Sequence, residues 1–86
     1  MFTILYWPRF VRNYKKLPGP IRKLAQQKEE VFRKNPFHPS LKTHKFGGSL
    51  DEYWAFSINY SYRIIFRFEG KNKILFFSIG THNIYE

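Results

Sequence analysis

Two residues in the second half of the chain, Arg63 and His82, have the chemistry needed to bind and cleave a phosphodiester. Arg63 lies in an aromatic run at residues 62–68, and His82 follows Gly80 and Thr81. A guanidinium makes paired, charge-assisted hydrogen bonds to a phosphate and stays protonated at any working pH. Histidine can give or take a proton near neutrality. The pair is therefore the first candidate for phosphate binding and proton transfer.

A basic segment in the middle of the chain carries two further histidines, His38 and His44, with Lys42 and Lys45 around the second. We expect these side chains to converge with Arg63 on one groove. A zinc site built from the three histidines is the weaker interpretation, because the chain has no cysteine and no closely spaced histidine pair. No metal or other cofactor is expected.

Three more residues are candidates for contacts with a nucleic acid. Arg67 lies on the same side of its strand as Arg63, because side chains alternate along a strand. It either contacts a ligand or is an ordinary solvated arginine. Tyr62 and Tyr85 are near Arg63 and His82 in the chain, and such rings can stack on the bases of single-stranded RNA.

Length and charge limit the class of protein. The 86 residues allow one small domain, residues 1–86, and the absence of cysteine excludes disulfides and thiol chemistry. Fifteen Lys and Arg against six Asp and Glu give a net charge of +9, which draws in polyanions such as nucleic acid or an acidic protein. The apolar first seven residues are too short to span a membrane. We expect a cytoplasmic protein.

Hydrophobic periodicity predicts an α+β fold. A short strand over residues 2–6 should precede two helices, over 8–17 and 20–34, which form a hairpin because the segment LPGP separates them. From residue 53 the apolar period becomes two, which predicts a three-strand antiparallel meander with strands near 53–58, 62–68 and 73–79. The hairpin should cover one face of a small, mostly antiparallel sheet, leaving the other face at least partly open.

Four segments carry a resemblance to a known family: residues 36–44 (PFHPSLKTH), 53–58 (YWAFSI), 62–66 (YRIIF) and 79–82 (IGTH). Together they resemble the RelE/ParE superfamily of bacterial toxins, closest to the RelE and YafQ type, over essentially the whole chain. The resemblance implies the toxin of a type II toxin–antitoxin system. It also implies a metal-independent endoribonuclease (mRNA interferase) acting on mRNA, commonly in the ribosomal A site, and neutralised by a cognate antitoxin encoded beside it.

The resemblance also implies roles for individual residues. Arg63 matches the strand arginine that contacts the scissile phosphate, and His82 matches the general acid near the C-terminus. His44, and less securely His38, fall where the loop supplies a base or an RNA contact. Tyr85 sits where some members have a catalytic tyrosine. The identity of the base stays open.

The implied reaction is attack by an RNA 2′-hydroxyl on its own phosphate, with His44 as base, His82 as acid, and Arg63 with Lys42 or Lys45 as the stabilising cations. Two alternatives remain. One is a ParE-like toxin that inhibits a protein such as DNA gyrase and cuts no RNA. The other is a small RNA-binding module without toxicity.

Overall fold

The computed structural model describes residues 2–46 and 52–81. Within these residues the predicted order of a strand, a helical hairpin and a meander is confirmed. The elements are β1 (Thr3–Tyr6), α1 (Pro8–Lys15), α2 (Gly19–Lys34), a 3₁₀ turn (Pro39–Leu41), β2 (His44–Lys45), β3 (Trp54–Ser57), β4 (Tyr62–Phe68) and β5 (Lys73–Thr81). No helix in the described part of the chain is long and apolar enough to cross a membrane.

The strands form one five-stranded sheet in the order β1-β5-β4-β3-β2. β1 runs parallel to β5, and the other neighbours are antiparallel. The mostly antiparallel sheet was predicted, but β2 was not. Its two residues have no apolar alternation of their own, and they become a strand only by pairing with Ala55 and Trp54 of β3.

The core lies between the helices and one face of the sheet, called here the helix face. Phe32 of α2 is fully buried at its centre, and its ring lies 4.7 Å from Phe56, 5.0 Å from Phe66 and 5.5 Å from Phe76, measured between ring centroids. The other buried side chains of this layer include Ile4, Phe10, Leu17, Ala25, Leu41, Ile58, Ile64, Ile74 and Ile79. The predicted apolar stripes of both helices therefore do face the sheet.

One irregularity in β5 changes the predicted alternation of its side chains. Ile65 pairs with Ser78, whereas the next residue of β4, Phe66, pairs with Phe76, so Phe77 is an extra residue in β5. This β-bulge keeps Ile79 in the core together with Phe76, where strict alternation would put them on opposite faces. A strand near 73–79 with strict alternation would put Phe77 and Ile79 on one face, and the bulge separates them.

The second face of the sheet is open only in part, as predicted. Its central row, formed by Ala55, Ile65 and Ser78 on three neighbouring strands, is buried. Arg63 and Arg67 lie on the same face on either side of this row, because they are two residues before and after Ile65 in β4. The two arginines therefore occupy different surroundings on one surface.

A polar network joins β1 to α2. The hydroxyl of Tyr6 donates a hydrogen bond to the Glu29 carboxylate, and Arg33 donates to the same carboxylate at 3.1 Å and to the Tyr6 hydroxyl at 3.4 Å. Partial burial, together with the bond to Glu29, raises the pKa of Tyr6 to about 12.

The raised pKa of Tyr6 predicts a loss of stability at alkaline pH. The unfolded tyrosine loses its proton near pH 10. The folded one keeps its proton to about pH 12, so the free energy of unfolding should fall as the pH rises through this window. Urea denaturation of the wild type and of Tyr6→Phe at pH 9 and at pH 11.5 checks this. The drop between the two pH values should be smaller in the variant, and an equal drop would exclude the Tyr6 contribution.

Candidate functional site

A basic cavity lies where β3 ends and β4 begins. It has a volume of about 320 Å³ and is lined by Lys28, Ser40, Lys42, Ser57, Ile58, Asn59, Tyr60 and Arg63. Three of these side chains are cations and none is a carboxylate. Like charges brought together without a counterion repel each other, so an anion bound among them would be held strongly. We call this the basic cavity.

Arg63 enters the basic cavity from β4. It pairs with Ser57 on one side and with Gly80 on the other. Its guanidinium donates a 3.4 Å hydrogen bond to the carbonyl of Tyr60, and it forms no ion pair with any carboxylate of the described residues. The remaining donors of the guanidinium have no partner among the described residues and can bind a phosphate.

The turn between β3 and β4 is held by Asn59. Its side-chain oxygen accepts hydrogen bonds from the backbone N–H of Ser61 at 2.9 Å and of Tyr62 at 2.8 Å. This local bonding is typical of asparagine in turns, and it holds the backbone that carries Tyr60. The carbonyl to which Arg63 is bonded is thereby kept in place.

Lys28 and Lys42 complete the cation set. Lys42 follows the 3₁₀ turn in the left-handed conformation, with φ 51° and ψ 41°. Lys28 comes from α2 and was not among the residues predicted for the site. The available signal was a lysine interrupting the apolar stripe of α2, between Ala25 and Phe32.

The hydrogen bonds of the two described histidines give them different proton-transfer abilities. Nδ1 of His44 lies 3.1 Å from the carbonyl oxygen of Lys42. A carbonyl can only accept, so Nδ1 carries the proton and Nε2 of the neutral ring keeps a free lone pair. Nδ1 of His38 instead accepts from the backbone N–H of Ser40 at 3.1 Å, which places the proton of its neutral ring on Nε2. His44 is therefore arranged as a base and His38 as a donor.

His44 faces the same side of the sheet as Arg63. It pairs with Ala55, which lies two residues before Ser57, the partner of Arg63. From strand spacing and rise, the backbones of His44 and Arg63 are roughly 12 Å apart. A phosphodiester bound between the side chains of His44 and Arg63 would span this distance.

Three predicted RNA contacts lie elsewhere. Lys45 extends over the Trp54 ring at 5.9 Å, on the helix face, and Tyr62 packs against the core on that face. Arg67 bonds both oxygens of Glu69 at 3.1 Å and also reaches Glu52 at 3.3 Å. The hydrogen bonds to Glu69 raise the pKa of Arg67 above its ordinary value. Its guanidinium is therefore already paired, unlike that of Arg63.

His82 and Tyr85 lie outside the described residues. Thr81, which directly precedes His82 in the chain, pairs with Tyr62 at the start of β4. Among the described residues, no three His, Asp or Glu side chains come together where they could hold a metal ion.

The whole fold has close counterparts among solved structures. A YoeB/ParE toxin from Agrobacterium tumefaciens superposes with a TM-score of 0.80 at 15% identity, covering 95% of this chain and 99% of that one. YafQ from E. coli superposes with a TM-score of 0.80 at 16% identity, covering 99% and 98% of the two chains. YoeB from Staphylococcus aureus superposes with a TM-score of 0.77 at 20% identity, covering 94% and 97%.

This chain has the fold of the YafQ and YoeB toxins. No protein-family model matches the sequence, and neither does any curated protein sequence. The basic cavity and His44 lie near each other at one end of the second face of this sheet. The cavity can bind an anion, and His44 can take up a proton.

Proposed function

We propose that this protein is the toxin of a type II toxin–antitoxin system and acts as a metal-independent endoribonuclease on mRNA in the ribosomal A site. The observation that carries the proposal is the basic cavity on the YafQ and YoeB fold, which has three cations and no carboxylate among its described lining residues. His44 lies nearby, and Nε2 of its neutral ring carries the lone pair. A phosphodiester is the ligand that such a set fits best.

The proposed reaction is an internal transfer within RNA. Nε2 of His44 takes the proton of a 2′-hydroxyl, whose oxygen attacks the adjacent phosphorus while the bond to the 5′-oxygen breaks. Arg63 and Lys42 stabilise the extra negative charge of the transition state. His82 gives a proton to the leaving 5′-oxygen, and Tyr85 assists there. The products are a 2′,3′-cyclic phosphate and a 5′-hydroxyl end.

The proposed partner is an antitoxin made in the same cytoplasm. YafQ has been solved in a DinJ–YafQ complex, and YoeB in a heterotetrameric YoeB–YefM complex. The net charge of +9 favours an antitoxin segment that is acidic, since such a segment would neutralise the cations that RNA otherwise meets.

The state of cellular RNA after induction tests the proposal. Wild type, Arg63→Ala and His82→Ala are expressed in bacteria, and mRNA ends are mapped by primer extension. We expect growth arrest with discrete mRNA cuts from the wild type and neither effect from the variants. Growth arrest with intact RNA would favour the ParE-like alternative, and no arrest with intact RNA would favour the non-toxic RNA-binding module.

Lys28 gives a test specific to the basic cavity. Lys28→Ala should weaken binding to a single-stranded oligoribonucleotide whose 2′-hydroxyls are methylated to prevent cleavage. The slope of log affinity against log salt should fall by about 0.7, the loss of one phosphate contact to single-stranded nucleic acid. Fluorescence anisotropy at several salt concentrations measures this. Lys23→Ala, an exposed lysine of α2 outside the cavity lining, is the matched control, and equal slopes in both variants would remove Lys28 from the site.

A further inference from the structure

The β-bulge in β5 presents an aromatic side chain on the second face of the sheet. Phe77 is the extra residue of the bulge, and it is partly exposed, although the fully buried Phe76 precedes it. Bulges of this kind re-aim a side chain and occur preferentially near active sites. The core needs no such ring, because Phe76 and Ile79 already fill the helix face on either side of it.

Phe77 belongs to a row of aromatic rings and guanidinium groups. Its ring lies 5.4 Å from the Tyr53 ring, measured between centroids. The guanidinium carbon of Arg9 lies 5.5 Å from the centre of the Phe77 ring, and that of Arg67 lies 5.6 Å from the centre of the Tyr53 ring. The contacts therefore connect Arg9 to Phe77, Phe77 to Tyr53, and Tyr53 to Arg67.

The two arginines of this row differ in how they are held. Arg67 is bonded to Glu69, Glu52 and the Tyr53 hydroxyl, so it is anchored over its ring. Arg9 is exposed and forms no ion pair with any carboxylate among the described residues. A surface guanidinium held only by a ring can be displaced at small cost, because exposed cation–π contacts are weak.

We propose that Phe77 and Arg9 form a nucleobase-binding site, in which a base of single-stranded RNA stacks on the Phe77 ring and Arg9 covers it or contacts its phosphate. Tyr53 supports the Phe77 ring from the side and is held by Arg67. Every base has a flat π-face, so this site binds RNA without strong sequence preference. Guanidinium groups also stack on bases. Arg9 can do so because it has no ion pair among the described residues.

The nucleobase site rests on the proposed ribonuclease function, and it gives the RNA a second contact besides the one at Arg63. Phe77 lies three residues before Gly80, which pairs with Arg63. The separation along the sheet is about 10 Å from the strand rise. An RNA strand with its scissile phosphate at Arg63 can thus place a neighbouring nucleotide on Phe77, which would position the substrate for cleavage.

Binding of a short labelled oligoribonucleotide with methylated 2′-hydroxyls tests the site. Phe77→Leu keeps an apolar side chain without a flat ring, and Arg9→Ala removes the covering guanidinium. We expect Phe77→Leu to weaken binding about five- to a hundred-fold, the usual effect of losing one stacked base. A series of oligonucleotides can also be used, each lacking the base at one different position. For the oligonucleotide that lacks the stacked base, the wild type and Phe77→Leu should bind with equal affinity.

Two control variants separate stacking from general effects. Arg12→Ala removes the same charge from an exposed position of the same helix, and Phe37→Leu removes an exposed ring that packs against Trp54 on the helix face. Both should bind RNA more tightly than their counterparts Arg9→Ala and Phe77→Leu. Circular dichroism shows whether Phe77→Leu folds. If it does not, Arg9→Ala still tests the site, because it changes only a surface residue.

The outcomes distinguish this site from the function on which it rests. If the wild type binds RNA but Arg9→Ala matches Arg12→Ala and Phe77→Leu matches Phe37→Leu, the nucleobase site is wrong and the ribonuclease proposal stands. Loss of antitoxin affinity in Phe77→Leu with unchanged RNA affinity would mark a protein-binding surface and overturn the site. A wild type that binds no free RNA would overturn the nucleobase site, and the mapping of mRNA ends after induction would then decide the ribonuclease proposal by itself.

Discussion

Replacing His44 by alanine is expected to slow RNA cleavage by about a hundred- to ten-thousand-fold, the usual effect of losing a general base. The bond from Nδ1 to the Lys42 carbonyl leaves Nε2 free to take the proton of the 2′-hydroxyl. Single-turnover cleavage of an mRNA bound in the ribosome measures the rate.

His38 provides the matched control for His44. It lies in the same segment, but its Nδ1 accepts from the backbone N–H of Ser40, so the free Nε2 of the neutral ring carries a proton. His38→Ala should therefore lose much less activity than His44→Ala. Added imidazole should restore part of the activity of His44→Ala, because it replaces the missing base. A larger loss in His38→Ala than in His44→Ala would assign the base to the other histidine.

Replacing Phe32 by alanine is expected to remove most of the stability of the domain. Phe32 is fully buried and its ring contacts Phe56, Phe66 and Phe76, so truncation leaves a cavity between α2 and three strands. Such substitutions cost about 3–5 kcal/mol. In a domain of this size that loss lowers the melting temperature by roughly 12–40 °C. Thermal unfolding followed by circular dichroism measures the change.

Phe37→Ala is the comparison for Phe32→Ala. Phe37 contacts Trp54 and Phe68, yet 53% of its surface is exposed, so its truncation opens no enclosed cavity. The expected loss of stability is therefore well below that of Phe32→Ala. Equal losses for the two variants would mean that the centre of the core lies elsewhere. Because wild-type stability of small domains is only about 5–15 kcal/mol, the Phe32 variant is best studied at low temperature.

The cations of the basic cavity must be held in place against their mutual repulsion. The three cations have no carboxylate among the described lining residues, so they repel one another and must be held through other contacts. Arg63 is tied to the carbonyl of Tyr60, and the turn that carries Tyr60 is held by Asn59. Arg67, four residues along the same strand, is instead neutralised by Glu69 and Glu52. The free charge is therefore concentrated at one end of the sheet.

The sequence alone determined the broad plan of the protein. The apolar periods of 3.6 and two predicted the helical hairpin and the three long antiparallel strands, because these periods follow from the geometry of each element. The charge balance predicted an anionic partner, and Arg63 could be selected because it alternates with apolar neighbours in a strand. The same alternation puts Tyr62 on the opposite side from Arg63, which the prediction of Tyr62 as an RNA contact did not take into account.

Only the tertiary structure decided which charged groups meet and which are already paired. Lys28 joins Arg63 because α2 passes the end of β3, and Arg67 differs from Arg63 because Glu52 and Glu69 lie beside it. Neither fact is local in the chain. β2 exists only through its pairing with β3, and Phe77 and Ile79 face opposite sides only because of the register shift between β4 and β5. Local sequence patterns report the period of one segment, whereas pairing, register and charge neutralisation depend on residues that are distant in the chain.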